Sequence, residues 1–536
     1  MTCAADCVLG MDLGTGSLKC VVMDVDGRVL ATAERAYPTQ SRLPGWAEQH
    51  PRDWLAAMRL ALDDIAAGRP GLFGRIAALG ICSAAHIPVL LDGADRVIRP
   101  AILWSDQRSG EEVAALRAEY GPLLELTTLN EASCTWTLPQ LLWLAKHEPE
   151  AMARVRRFLS SKDYLIFNLT GEACMDFGSA AATLMLDAGT RRWAKPLTEL
   201  SGLSAAAFPR LASPLAVVGT VTPAAGAAYG LPAGIPVIAG TLDSAAELVG
   251  CGILEAGGLG MVRVGSAGGI MATTDGPSFN ARIITYPHIA EGVFYKQAGT
   301  NACATSLKWI RRLCSDAAAG GAARPSYEAL DELALTARPG ADGLIFHPYL
   351  HGERAPYWNP DLRGNFSGID HNHAWPHFVR AVMEGVAYSL RDCLDMFRRE
   401  AITVTRAVMS GGVVKSPVWT QIVTDVLGIE THTVRDGDSA RGACLLAATA
   451  AGMFGTLEAA AAACVVPGKI NAPDPARRDL YARGFERYRQ FACFFDAAAR
   501  EPRGGGADTR LDPRPEMNPA QADVRRPDHR RETIDR

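Results

Sequence analysis

Long uninterrupted apolar runs are missing from this sequence, as are blocks of basic residues and any Cys-x-x-Cys pair. The first absence excludes a helical membrane span of roughly 20 apolar residues. The nearest approach, residues 442–457, is rich in Ala, Gly and Thr, a composition expected of a helix packed inside a protein. With no basic tract and a net charge of -4, nothing in the chain attracts nucleic acid electrostatically. The thirteen cysteines are odd in number and scattered, and no histidine cluster has zinc-ligand spacing, so they read as reduced, mostly buried apolar residues. The opening MTCAADCVLGMD has neither a basic n-region nor an apolar h-region, so no secretory leader is read and a cytoplasmic protein is expected. GxGxxG, GxxxxGK[ST] and GxSxG are all absent, which counts against dinucleotide, Walker-type and serine-hydrolase sites.

What is present is ordinary globular sequence, 48% hydrophobic and 21% charged over 536 residues. That length exceeds what one core supports, and two domains are expected, residues 1–252 and 253–500. Residues 501–536 hold eight Arg against eight acidic residues, five Pro and no aromatic. Such a stretch cannot bury enough surface to order itself, and a disordered tail is expected there.

Two stretches share one design. Near the start, alternating apolar runs enclose Asp12-Leu13-Gly14-Thr15-Gly16-Ser17, whose glycines let backbone amides approach an anion. Its hydroxyls can donate, and Asp12, at the strand end, suits a hydrated Mg²⁺. About 250 residues later LGMVRVGSAGGIMATT repeats strand, glycine turn and strand around Gly265-Ser266-Ala267-Gly268-Gly269. A nucleotide held between two related halves is the expectation. Between them, IPVIAGTLDSAAELVGCG reads as a strand, a turn that lifts Asp243 out of the core, and a helix from about Ala245. On caps alone, the favoured reading is that Asp243 or Ser244 merely caps the helix.

Residues 81–106 read as two strands joined at Asp92-Gly93, with His86 on the approach and Trp104-Ser105-Asp106-Gln107-Arg108 on the exit. A Trp beside Asp and Arg offers the apolar wall and directed polar groups that polyol recognition needs. Residues 404–409 read as a strand running into Ser410-Gly411-Gly412, where glycines leave room for a base or sugar, followed by a helix that Gly428 ends. His371, His373 and His377 read as a polar loop and helix entry rather than a metal site.

Together these segments resemble the FGGY carbohydrate kinases, in particular xylulokinase-like members, over roughly residues 8–495. The most specific match is GNFSGIDHNHAWPHFVRAVME, residues 364–384, which follows the family's second signature through His377 and Glu384. MDLGTGS, PGWAEQHPRDW, RPAILWSDQR, GERAPYW and SGGVVKSPVWTQIVTDVLG are similar to family segments in the same order. The resemblance implies an α/β, two-domain, actin-like (ribonuclease-H-like) fold with the nucleotide and sugar in a cleft between the domains. It implies Asp243 as catalytic base and Asp12 with Asp243 at Mg²⁺. ATP contacts would come from Gly14, Thr15, Gly16, Ser17, Gly265, Ser266, Gly411, Gly412 and Ser416, and sugar contacts from Ala85, His86, Trp104, Asp106, Asp243 and Ser244.

This chain departs from the family at Ser83-Ala84-Ala85-His86-Ile87, Gln140, Ala302-Cys303-Ala304 and Gly265-Ser266-Ala267-Gly268. The implied activity is ATP-dependent phosphorylation of a ketose, D-xylulose or a related pentulose, with sugar and ATP as partners, no nucleic acid or membrane, and a homodimer left open. The alternatives are L-ribulose, L-fuculose, glycerol or gluconate as substrate, a non-catalytic sensor, and an actin-like filament or chaperone ATPase.

Overall fold

The alternation at the start of the chain builds a meander of β1 (Cys7–Leu13), β2 (Ser17–Asp24) and β3 (Val29–Ala36) in the computed structural model, which describes residues 5–316 and 324–500. The expected tail, 501–536, lies outside the described residues. β4 (Ile76–Ser83) runs parallel to β1, and β5 (Val217–Thr220), β6 (Pro236–Ile238) and β7 (Thr241–Leu242) complete a sheet of order β5-β6-β4-β1-β2-β3, with β7 also on β4. The second sheet comprises β8 (Leu259–Val264), β9 (Gly268–Asp275), β10 (Ile284–Pro287), β11 (Val293–Thr300), β12 (Arg406–Gly411), β13 (Glu430–Val434) and β14 (Pro467–Asn471). Its order is β10-β11-β9-β8-β12-β13-β14.

The duplication read from the glycine turns is present in the topology. β8, β9 and β11 repeat the antiparallel β1, β2 and β3, and β12 lies parallel to β8 as β4 does to β1. In both hairpins the strands close at the turn, Leu13 opposite Leu18 and Val264 opposite Gly268. After Asp92-Gly93 the expected hairpin is reduced to a single bridge, Leu91 to Val97, and the strand that follows, Ala101–Ile102, pairs with Glu48–Gln49 instead. Asp92 instead spends its carboxylate on the backbone of Ala94 and Arg96.

Helices cover both sheets: α1 (Pro51–Gly68), α2 (Ser161–Thr170), α3 (Asp243–Gly250), α4 (Ala304–Asp316), α5 (Trp375–Arg399), α6 (Pro417–Leu427), α7 (Ser439–Ala450) and α8 (Arg478–Arg500). α1 starts at Pro51 and buries Trp54, Met58, Ala61, Leu62 and Ile65, one helical stripe. Gly171 and Gly428 end α2 and α6 in the left-handed conformation. Among the described residues no helix is long and apolar enough to cross a membrane, and the described cysteines are free and mostly buried.

One helix crosses the domain assignment. α7 belongs in sequence to the second half, yet Ala440, Cys444, Leu445 and Leu446 share a core with Val8, Val21 and Ile238 of the first sheet. Small residues make this seam possible: a Cβ on Gly442 would stand 1.8 Å from the Ala246 carbonyl of α3. Gly442→Ala should therefore reverse the usual sign of a helix Gly→Ala change. Instead of gaining helix propensity it should lose stability, on the order of 1–3 kcal/mol from overpacking, measurable as a lower urea midpoint.

Candidate active site

Asp243 is presented by a short chain of necessities. β6 leads to Gly240, whose φ is +64 and where a Cβ would fall 1.8 Å from the Ile81 carbonyl, so only glycine makes this corner. Beneath it lies Lys162, fully buried in α2. Its Nζ donates to the Ala239 carbonyl at 2.9 Å and pairs with Asp163 at 2.5 Å and Asp176 at 3.0 Å. Burial opposes the lysine's charge, but the two carboxylates outweigh it and hold it protonated. Asp176 also accepts from Thr241 Oγ1 at 3.0 Å, clamping β7 just before Asp243. The helix begins at Asp243, two residues earlier than the sequence suggests, with Leu242 at the N-cap position and no side-chain cap. Asp243 instead accepts from the Ser244 amide at 2.7 Å through Oδ1, and its side chain stays 21% exposed on the cleft wall.

That wall belongs to a cavity of about 600 Å³ between the two halves, a size suited to a small substrate and part of a nucleotide. Thr15, Gly16, Asp243, Ser244, Gly265 and Ser266 line it together. Carboxylates gather here. Burial, then the Asp243 charge, push Asp12 up to about 8, with Asp438 and Glu247 adding to the effect. The cations that answer them are Lys19, paired with Asp438, and Arg263, whose Nε is 3.3 Å from Glu247 and whose Nη1 is 3.7 Å from Asp243. Sequence reasoning passed over Arg263, although a lone charge in the apolar strand LGMVRV was a visible signal.

The first glycine turn is braced from behind. Gln49, 1% exposed, donates to the Thr15 carbonyl at 2.7 Å and accepts from Trp54 of α1, which gives the PGWAEQHPRDW segment a role in holding this glycine turn. The Gly14 carbonyl accepts from Tyr37. Ser17 donates to Glu34 at 2.5 Å and stands outside the cavity wall, so its hydroxyl is not presented as expected. The second turn is strapped by the departing Ala302–Ala304 segment: Cys303 and Ala304 amides donate to the Ser266 and Gly265 carbonyls. Gly411 ends β12 opposite Val264 and thus abuts the second turn. A Cβ on Gly412 would meet nothing within 4 Å. Ser416 caps α6, accepting from Trp419 N and donating to Asp331, so its hydroxyl is committed within the fold.

On the other side of Asp243 the expected sugar residues divide. Ala85, His86, Trp104 and Ser244 line the cavity, and Trp104 Nε1 donates to Thr15 Oγ1 at 3.0 Å. Asp106 does not reach it. Only 1% exposed, it pairs with Arg108 at 2.7 Å and accepts from the Ala47 amide, while Arg108 stacks on Trp46, making this segment a buried brace. His86 Nδ1 donates to the Ala182 carbonyl at 2.7 Å, which leaves Nε2 to accept from Tyr286 of β10. Burial pulls His86 down to about 4. Ser244 likewise bonds Tyr295 of β11 at 2.8 Å. Tyr286, with Asn301 and Arg354 on the same wall, is a contribution of the second half; Arg354 belongs to the GERAPYW segment, whereas no motif announced Tyr286, Asn301 or the buried Tyr295. Gln140 is buried and donates to the Leu103 carbonyl behind Trp104.

The second signature lies elsewhere. Glu384 accepts from Gly340 N, Arg380 and Tyr481, and His377 from Ala374 N while its Nε2 meets Asp342, so these residues staple a loop of the second half and do not line the cleft. Among the described residues no group of three or more His, Cys, Asp or Glu is arranged around a metal.

Comparison with known proteins places this arrangement. The model of the FGGY family of carbohydrate kinases, N-terminal domain, matches residues 7–250, and that of the C-terminal domain matches 260–451. The xylulose kinase of Lactococcus lactis subsp. lactis is 31% identical over 488 residues, covering 90% of this chain and 96% of its own. The gluconokinase of Bacillus subtilis is 28% identical over 466 residues, 84% of this chain and 89% of its own. A solved structure from Brucella ovis, described as a xyloylose kinase, superposes with a TM-score of 0.83 at 30% identity over 92% of this chain and 100% of that one.

The neutral His86 sets a pH dependence. Its folded pKa lies below the unfolded value of about 6.5, so between these values the unfolded chain binds the extra proton and stability falls as pH falls. His86→Gln should flatten the decline of the urea midpoint between pH 6.5 and 4.5, by at most about 1.4 kcal/mol per pH unit for one proton.

Proposed function

Because the chain belongs to the FGGY family of carbohydrate kinases, we propose that it transfers the terminal phosphoryl group of ATP to a primary hydroxyl of an open-chain ketose, D-xylulose or a related pentulose. The observation that carries this reading is the placement of Asp243 at the start of α3, on a cavity wall shared with two equivalent glycine turns. The bond from the γ-phosphorus to the ADP oxygen breaks, a bond to the sugar oxygen forms, and the hydroxyl proton passes to Asp243. An alcohol is a far weaker acid than a carboxylic acid of pKa about 3.9, so no alkoxide forms in advance. In a loose transition state the hydroxyl acidifies as its bond to phosphorus develops, and Asp243 takes the proton late.

Amides and hydroxyls at Thr15, Gly16, Gly265 and Ser266 would meet the phosphate oxygens, with the adenosine towards Gly411 and Gly412. The donor set fits Mg²⁺: Asp12 and Asp243 are oxygen ligands, and this ion binds through one or two carboxylates while keeping waters and phosphate oxygens. Held there, it would neutralise charge on the phosphates. Arg354, which lines the sugar side and lies 5.5 Å over Trp104, supports gluconate as a second reading of the substrate, as does the likeness to a gluconokinase.

Asp243→Asn should leave the dissociation constant of metal-free ATP unchanged and lower sugar-dependent ADP formation by about 10²–10⁴-fold. Full turnover in that variant would remove Asp243 from the role. In the wild type, ADP release across D-xylulose, L-ribulose, L-fuculose, glycerol and gluconate should favour the pentulose, and a preference for gluconate would decide for the second reading.

A further inference from the structure

We propose that Arg263 is a catalytic residue, a guanidinium that engages the phosphoryl group in transit from the side opposite Asp12. The inference rests on the kinase reading above and adds a residue to it. Three observations meet at this side chain. The first is symmetry: in the duplicated hairpins, Asp12 is the penultimate residue of β1 and Arg263 the penultimate residue of β8, each followed by one apolar residue and a glycine turn. The fold thus sets a carboxyl group and a guanidinium at equivalent positions of the two hairpins whose turns line the cavity.

The second is incomplete pairing. Arg263 stands 3.3 Å from Glu247 and 3.7 Å from Asp243, beyond the roughly 2.7–2.9 Å of a full charge-assisted hydrogen bond. The buried Oε2 of Glu247 accepts no hydrogen bond among the described residues. The guanidinium is held by the charges of Glu247 and Asp243 at these longer distances, and it is 36% exposed on the cavity wall that also holds Asp243 and Gly265.

The third is charge. Asp12, Asp243, Glu247 and Asp438 act on one another across this region, and Lys19 is spent on Asp438. A terminal phosphate entering here faces the Asp243 carboxylate, and of the two guanidinium groups on the cavity wall, Arg263 and Arg354, Arg263 is the one that stands 3.7 Å from Asp243 and can offset its charge. As the bond to ADP breaks and the sugar oxygen bonds to phosphorus, charge spreads over the equatorial oxygens, where a planar fork of donors is most effective.

Loss of Arg263 alone strands Glu247, so the test uses Arg263→Ala combined with Glu247→Ala, beside Arg263→Lys. With the sugar the wild type prefers, kcat of the double variant should fall about 10²–10³-fold, the usual effect of removing one such donor. The KM for sugar should hold, free guanidinium at subdenaturing concentration should restore part of kcat, and the Lys variant should lie between. A double variant that turns over like wild type, or loses only thermal stability, would overturn the proposal and leave Arg263 as a counter-ion for Glu247. If wild type forms no ADP with any sugar, the kinase reading fails instead.

Discussion

A lysine that solvent never reaches supports the whole site. Transferring an ammonium group from water into the protein interior costs several kcal/mol unless its partners are well placed. Lys162 meets that condition with two carboxylates and one backbone carbonyl, all within 3.0 Å. The carbonyl belongs to Ala239 and the second carboxylate also holds Thr241, so satisfying the lysine fixes the backbone on either side of Gly240. The next side chain but one is Asp243. A buried charge that tolerates no alternative arrangement is thus converted into a defined direction for an exposed carboxylate.

From that point the site is assembled across the seam between the halves. Asp12, His86 and Ser244 come from the first sheet and its helices, Arg263, Tyr286 and Tyr295 from the second. Hydroxyl bonds from the tyrosines to His86 and Ser244 tie the two walls together, and α7 packs on the first sheet through Ala and Gly.

Much of the candidate site was legible because its elements are local. The glycine turns, the strand into Asp243 and the helix stop at Gly428 depend on residues adjacent in sequence. Asp106 and Ser416 were misplaced for the opposite reason. Each has the right residue type beside the right motif, but Arg108 and the α6 amides claim their polar atoms first. The FGGY signature around His377 and Glu384 marked the family while marking no part of the cleft, since its polar atoms hold a loop of the second half.

The sequence by itself determined the paired glycine hairpins and the strand-to-helix turn at Asp243, because periodicity and glycine turns are short-range properties of the chain, while its family resemblance carried the two-domain α/β class. Tertiary structure alone decided which of those groups share a cavity. Arg263 beside Asp243, Tyr286 on His86, Gln49 behind Thr15 and Lys162 under Gly240 are pairings between residues far apart in sequence or in different elements. They arise from close packing of elements, where a buried donor or charge must find its partner wherever the fold brings one.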